Sequence, residues 1–138
     1  MAQAVTAMPE ARLIALGDGG VRVVLPGHIV FDSDGAAVRP RVRPALHQLA
    51  TAISQTEAAV SVRGHTDALG SERLNQRMAQ NRAEAIATVL RAHQVAADRL
   101  AVHGAGEADP AADNRTAAGR RANRRIEIDL IAPGRPQG

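Results

Sequence analysis

Apolar residues recur along this chain at two different spacings, and the switches between them predict its elements. Val21 to Leu25 alternates valine with a single arginine before Pro26 and Gly27, which reads as a strand. Phe31 then precedes a polar turn, Asp32-Ser33-Asp34-Gly35. From Pro40 or Pro44 to about Ser54, Leu46, Leu49, Ala50 and Ile53 return at helical spacing, with proline accommodated in the first turn. Ala58 to Arg63 alternates again and predicts a second strand. A long helix follows, opened by Ser71 as N-cap and Glu72 at the positive end of the helix dipole, and running to about Arg91. Arg99 to His103 supplies a short strand, Asn114 to Ala122 a short helix, and Arg125 to Ile131 a clearly alternating final strand whose Ile126, Ile128 and Leu130 should face the helices. The order βαβαβ with a final strand predicts an α/β fold, a two-layer sandwich with helices on one face of a four-stranded mixed sheet. Residues 1–20 show no sustained period and read as a leader with at most one short strand and little part in the fold. One domain then spans 21–132, and 133–138 is a tail.

The long helix carries the first hint of chemistry. At about 100° per residue, Leu74, Met78, Ala79, Ala85, Ile86 and Val89 gather on one arc that should face the core. Asn75 and Arg82 fall inside that arc, seven residues apart and so aligned along the axis. A guanidinium cannot shed its proton, so one at the edge of an apolar face needs an acidic partner or a bound anion. Asp67, in the strand-to-helix loop His65-Thr66-Asp67-Ala68-Leu69-Gly70, is the nearest candidate in sequence. The residues alone leave two arrangements open: an internal Asp67–Arg82 ion pair that braces the loop, or a pair of charges that grips a ligand.

Composition narrows the classes. With 138 residues and 45% hydrophobic content, the chain suffices for one domain with a real core. Without cysteine, neither a disulfide nor a thiolate metal site is available. No apolar run reaches the length of a membrane span, and Met1 to Pro9 lacks the layout of a signal peptide, so the segment is expected to be soluble with no membrane insertion of its own. All seventeen basic residues are arginine, yet the net charge is only +3. Phe31 is the sole aromatic residue, so Arg120, Arg121, Arg124 and Arg125 have no stacking platform beside them, which argues against nucleic acid.

Several separated motifs share a spacing that carries a name. Gly64-His65-Thr66-Asp67, Asn75 after a leucine, Asn81-Arg82-Ala83, Gly104-Ala105-Gly106-Glu107, Pro110, Asn114 with Thr116, and Gly119 to Arg125 before a strand resemble the OmpA-like peptidoglycan-binding domain over about Val21 to Ile131. The resemblance implies a non-catalytic wall anchor without metal or cofactor. Asp67 and Arg82 then bind the free zwitterionic end of meso-diaminopimelate in the peptidoglycan stem peptide, ammonium to carboxylate and carboxylate to guanidinium. It further implies that Asp32, Ser33 and Asp34 contribute from their loop, Leu69 through its backbone and Asn75 through its amide. Arg124 either assists a carboxylate or braces the sheet edge. Met78, Ala79, Leu74 and Val38 depart from the common family residues, and none of them removes a charge from the clamp.

Two competing readings stand beside this one. A structural or protein-interaction module of the same fold would pair Asp67 with Arg82 internally and bind no wall. An enzyme would recruit His65, Asp67 and His103 as metal ligands or acid/base groups, although no metalloprotease helix motif, cysteine pair or nucleophile elbow accompanies them. A wall anchor works in the periplasm, so the expectation is a domain of a larger exported or membrane-anchored protein, with envelope proteins as possible partners.

Overall fold

A computed structural model describes residues 1–32 and 35–132. The elements in chain order are α1 (Ala2–Thr6), β1 (Arg12–Ala15), β2 (Val21–Pro26), α2 (Gly27–Val30), α3 (Arg43–Ser54), β3 (Ala59–His65), α4 (Glu72–Ala92), β4 (Leu100–Gly106), α5 (Ala117–Asn123) and β5 (Arg125–Ile131). Single turns of 3-10 helix at Pro40–Val42 and Ala97–Arg99 lead into α3 and β4. The strands form one mixed sheet in the order β1-β2-β5-β3-β4, in which only β3 and β4 run parallel. The fold is therefore the expected α/β sandwich, but the sheet has five strands rather than four. The fifth is β1, which pairs Arg12 with Val24 through Ala15 with Val21 at the sheet edge.

Period-two alternation decides which side of the sheet is buried. Val23 and Leu25 of β2, Ile126, Ile128 and Leu130 of β5, and Val60 and Val62 of β3 enter the core together with Leu46, Leu49, Ala50 and Ile53 of α3. From α4 come Ala83, Ile86 and Leu90. The buried arc of α4 is thus rotated from the one its apolar residues alone suggest: Ala79, Arg82, Ala83, Ile86, Ala87 and Leu90 are buried, whereas Leu74 is 62% exposed.

The N-terminal residues do more than a leader would. Ala4, Val5 and Met8 are buried in the main cluster, where α1 packs on α3. This segment is too short to show a helical period, so its packing could not be read from spacing. Residues 133–138, assigned to a tail, lie outside the described residues. Among the described residues no helix is long and apolar enough to cross a membrane.

The close approach of α4 to the sheet depends on glycine. A Cβ on Gly64 would collide with the Ala79 carbonyl, and one on Gly104 would meet the Gln80 backbone at 2.7 Å. Gln80 Oε1 accepts from the Gly104 amide at 2.8 Å, and Gln76 donates to the Gly104 carbonyl. The glycines of β3 and β4 therefore set how deeply the helix beds down, and with it where Arg82 sits.

Candidate functional site

The site forms where β3 ends, β5 begins and the chain turns after β2. Asp67 lies two residues beyond β3 in a loop whose backbone Thr66 ties to β4 by donating to the Gly106 carbonyl at 2.8 Å. Its carboxylate is only 6% exposed at residue level, and both of its oxygens are engaged. Oδ1 accepts from the Leu69 amide at 2.9 Å, a local turn that the aspartate imposes on its own backbone. Oδ2 accepts from Arg124 Nη1 at 2.8 Å. Asn75 reinforces the turn from the helix side, donating to the carbonyls of Leu69 at 2.8 Å and Asp67 at 3.3 Å. Ser71 caps the helix that carries Asn75, accepting from the Leu74 amide at 3.3 Å.

Arg82, 7% exposed, reaches from the middle of α4 to the loop after α2. Its Nε donates to the Gly35 carbonyl at 2.9 Å and its Nη2 to the Asp32 carbonyl at 3.1 Å, while the guanidinium carbon lies 4.9 Å from the Phe31 ring centroid. The guanidinium therefore holds the Asp32 and Gly35 carbonyls while lying against the Phe31 ring. Gly27 joins the two halves of the site. A Cβ there would stand 3.1 Å from Arg82 Nη1 and 2.9 Å from the carbonyl of Arg124, and the Gly27 amide donates to that carbonyl at 2.8 Å. Glycine at this position lets the Arg82 guanidinium and the Arg124 backbone both pack against the start of α2.

The other expected site residues divide accordingly. Asp32 is at the site by its carbonyl, while its carboxylate sits 3.7 Å from Arg39 Nη1. Ser33 and Asp34 lie outside the described residues. Leu69 meets Asp67 through its backbone and leaves its side chain 58% exposed. Asn75 spends its amide on the loop. The internal ion pair of Asp67 is with Arg124, and not with Arg82 as the bracing alternative expected. Arg124 lies 57 positions from Asp67, and they meet only because β5 runs antiparallel beside β3, pairing His65 with Arg125.

A second polar group beneath the loop was missed. His65, Arg125 and Glu127 are buried on the sheet face opposite the core, where His65 Nε2 lies 3.0 Å from Glu127 Oε1 and Arg125 Nε lies 3.1 Å from Glu127 Oε2. An ionised carboxylate only accepts, so Nε2 carries the proton. The His65 hydrogen bond, supported by the Arg125 charge against the cost of burial, pulls the Glu127 carboxyl down to about 2. Arg22 continues the row, donating to both oxygens of Asp129 at 2.7 and 3.0 Å. The signal was in the chain: Arg125, Glu127 and Asp129 alternate with the core isoleucines of β5 and so had to share its outer face. Asn123, fully buried, was likewise missed. It accepts from the Ala111 and Ala112 amides at 2.8 Å each and donates to Asn114 Oδ1 at 2.7 Å, and Asn114 in turn accepts from the Ala68 amide at 3.3 Å.

His65 turns to Glu127, and among the described residues no three His, Asp or Glu side chains are grouped to hold a metal. What the fold and site define is a small α/β module that holds a buried acid on a strand-to-helix loop and a buried guanidinium on the helix that follows it.

The chain belongs to the OmpA family, whose sequence pattern matches residues 30–124. Among curated relatives it is 38% identical over 107 residues to the probable lipoprotein YiaD of Escherichia coli, covering 77% of this chain and 49% of that one. It is also 38% identical over 109 residues to the peptidoglycan-binding protein ArfA of Mycobacterium tuberculosis, covering 78% of this chain and 33% of that one. The chain thus spans half or less of the length of these relatives. Among solved structures, the cell wall anchor of the T6SS from Pseudomonas aeruginosa superposes with a TM-score of 0.82 at 31% identity, covering 95% of this chain and 93% of that one.

Proposed function

We propose that this domain anchors a cell-envelope protein to the wall by binding peptidoglycan non-catalytically, through the meso-diaminopimelate end of the stem peptide. The observation that carries the reading is a buried carboxylate, Asp67, and a buried guanidinium, Arg82, on neighbouring elements, with Gly27 lying against both the Arg82 guanidinium and the backbone carbonyl of Arg124, the residue whose side chain holds Asp67. The free end of diaminopimelate is a zwitterion. Its ammonium finds an acceptor in Asp67, whose oxygens are held in place by Leu69 and Arg124, and its carboxylate finds the fork of Arg82, which the Asp32 and Gly35 carbonyls aim. Asn75 positions the loop and the Leu69 backbone lines it, while the Asp32 carbonyl borders the guanidinium. The relatives named for peptidoglycan binding and cell wall anchoring support the reading. On this reading the domain works in the periplasm as part of a larger protein.

Two charge-assisted contacts contribute about 1.5 to 3 kcal/mol each, so one stem peptide binds at roughly micromolar to millimolar strength. A wall repeats the ligand, and tethering raises its effective concentration. Co-sedimentation with purified sacculi tests this: the wild type should pellet, and Asp67→Asn and Arg82→Lys should remain in the supernatant while folded. Equal pelleting of all three would remove these residues from the site.

The Asp67–Arg124 bond favours one rival, a protein-interaction module in which that pair only braces the loop. Under it, Asp67→Asn would lose stability and the wild type itself would stay in the supernatant.

A further inference from the structure

We propose that a cleft on the outward face of the sheet is a second binding site, separate from the acid–guanidinium site, for an oxyanion carried on a short apolar stem. The cavity is about 660 Å³, within the range of small-molecule sites, and lies between β1, β2 and α5. Its apolar lining is Val24 and Pro26 of β2 with the small side chains of Ala111 and of Ala118 and Ala122 of α5. Val24 points away from the core because it alternates with Val23 and Leu25, and the unbranched alanines leave room for a slim hydrocarbon body rather than a bulky ring.

The charges around this lining are unequal. Arg125 is buried and spends its donors internally, on Glu127 at 3.1 Å, on the Asn123 carbonyl at 3.4 Å and on the Asp109 carbonyl at 3.0 Å. Glu10, the one acid lining the cleft, is held by His28 at 2.7 Å. Arg12 from β1 and Arg121 from α5 complete the rim, and among the described residues their guanidinium groups make no hydrogen bond or ion pair. Two uncompensated forks above an apolar lining match a ligand with an anionic head and an apolar stem. A guanidinium fork donates to carboxylate and phosphate oxygens alike, so the head is either one. With no aromatic residue in the lining, stacked bases are not its occupant.

The cleft shares no lining residue with the pair Asp67 and Arg82, so its test is independent of the proposed wall binding. Two-dimensional amide NMR of the whole chain, titrated with hexanoate, hexyl phosphate and neutral hexanamide, reads it directly. Saturable shifts at Val24, Ala118 and Ala122 are expected with at least one anion, and whichever binds more tightly identifies the head group. Hexanamide should bind about tenfold or more weakly. The double variant Arg12→Ala, Arg121→Ala, altering two exposed side chains, should lose about tenfold in affinity with its unfolding transition and its Asp67 and Asn75 amides unchanged. Absence of saturable shifts with both anions, equal binding of hexanamide, or undiminished binding by the double variant would each overturn the proposal.

Discussion

Arg82 does two tasks with one side chain, and a single substitution bears on both. Its fork holds the carbonyls of Asp32 and Gly35, so Arg82→Lys, which keeps the charge but loses the planar geometry, should loosen that loop and weaken stem-peptide binding about tenfold or more. Asn75 acts one step removed. Asn75→Ala removes the bonds to the Leu69 and Asp67 carbonyls, and should cost about 1 kcal/mol and speed hydrogen exchange at the Leu69 amide, whose acceptor is Asp67. An unchanged exchange rate would mean that the aspartate turn holds without the amide. That Arg82 and Asn75 were exceptional was legible from helical spacing, because a polar residue on a buried arc has to be accounted for. The partners were not legible. Arg82 meets carbonyls 47 and 50 positions away, which no local pattern encodes, and Asn75 meets the carbonyls of a loop whose turn is set by Asp67.

Alternation and capping placed the regular elements to within a few residues. Arg125–Ile131 was read at its observed limits, and Ser71 was read as the cap that it is. Short elements whose packing is tertiary were harder to read. The four-residue β1 exists because β2 offers it an edge, and α1 is held by α3 through side chains too few to show a period. Removing residues 1–8 takes Val5 and Met8 out of the core, each contributing about 1.5 to 3 kcal/mol, and should lower the urea midpoint substantially. A midpoint equal to that of the full chain would restore the leader reading. The bed of α4 is equally specific: Gly64→Ala drives a methyl into the Ala79 carbonyl and should cost about 3 kcal/mol, displacing Arg82 along with the helix.

For the molecule as a whole, the outward sheet face makes stability depend on acid. Glu127 titrates at about 2 when folded, against an ordinary value of 4.5. A depressed carboxyl stabilises the fold fully above its unfolded value and loses that contribution as pH falls through its folded value, so stability should decline between about pH 4.5 and 2. Glu127→Gln should flatten that decline. At neutral pH the same substitution should cost about 3 to 5 kcal/mol, because it leaves Arg125 buried without its counter-ion. This charged layer underlies the loop that carries Asp67, so the fold invests its buried electrostatics beneath the site. The central claim is recognition of a zwitterion by opposed charges, and isothermal titration compares it most directly. A stem peptide ending in meso-diaminopimelate should bind with a measurable Kd, and its lysine counterpart, lacking the second carboxylate, should bind about tenfold or more weakly. Equal affinity for the two peptides, or none for either, would contradict the account.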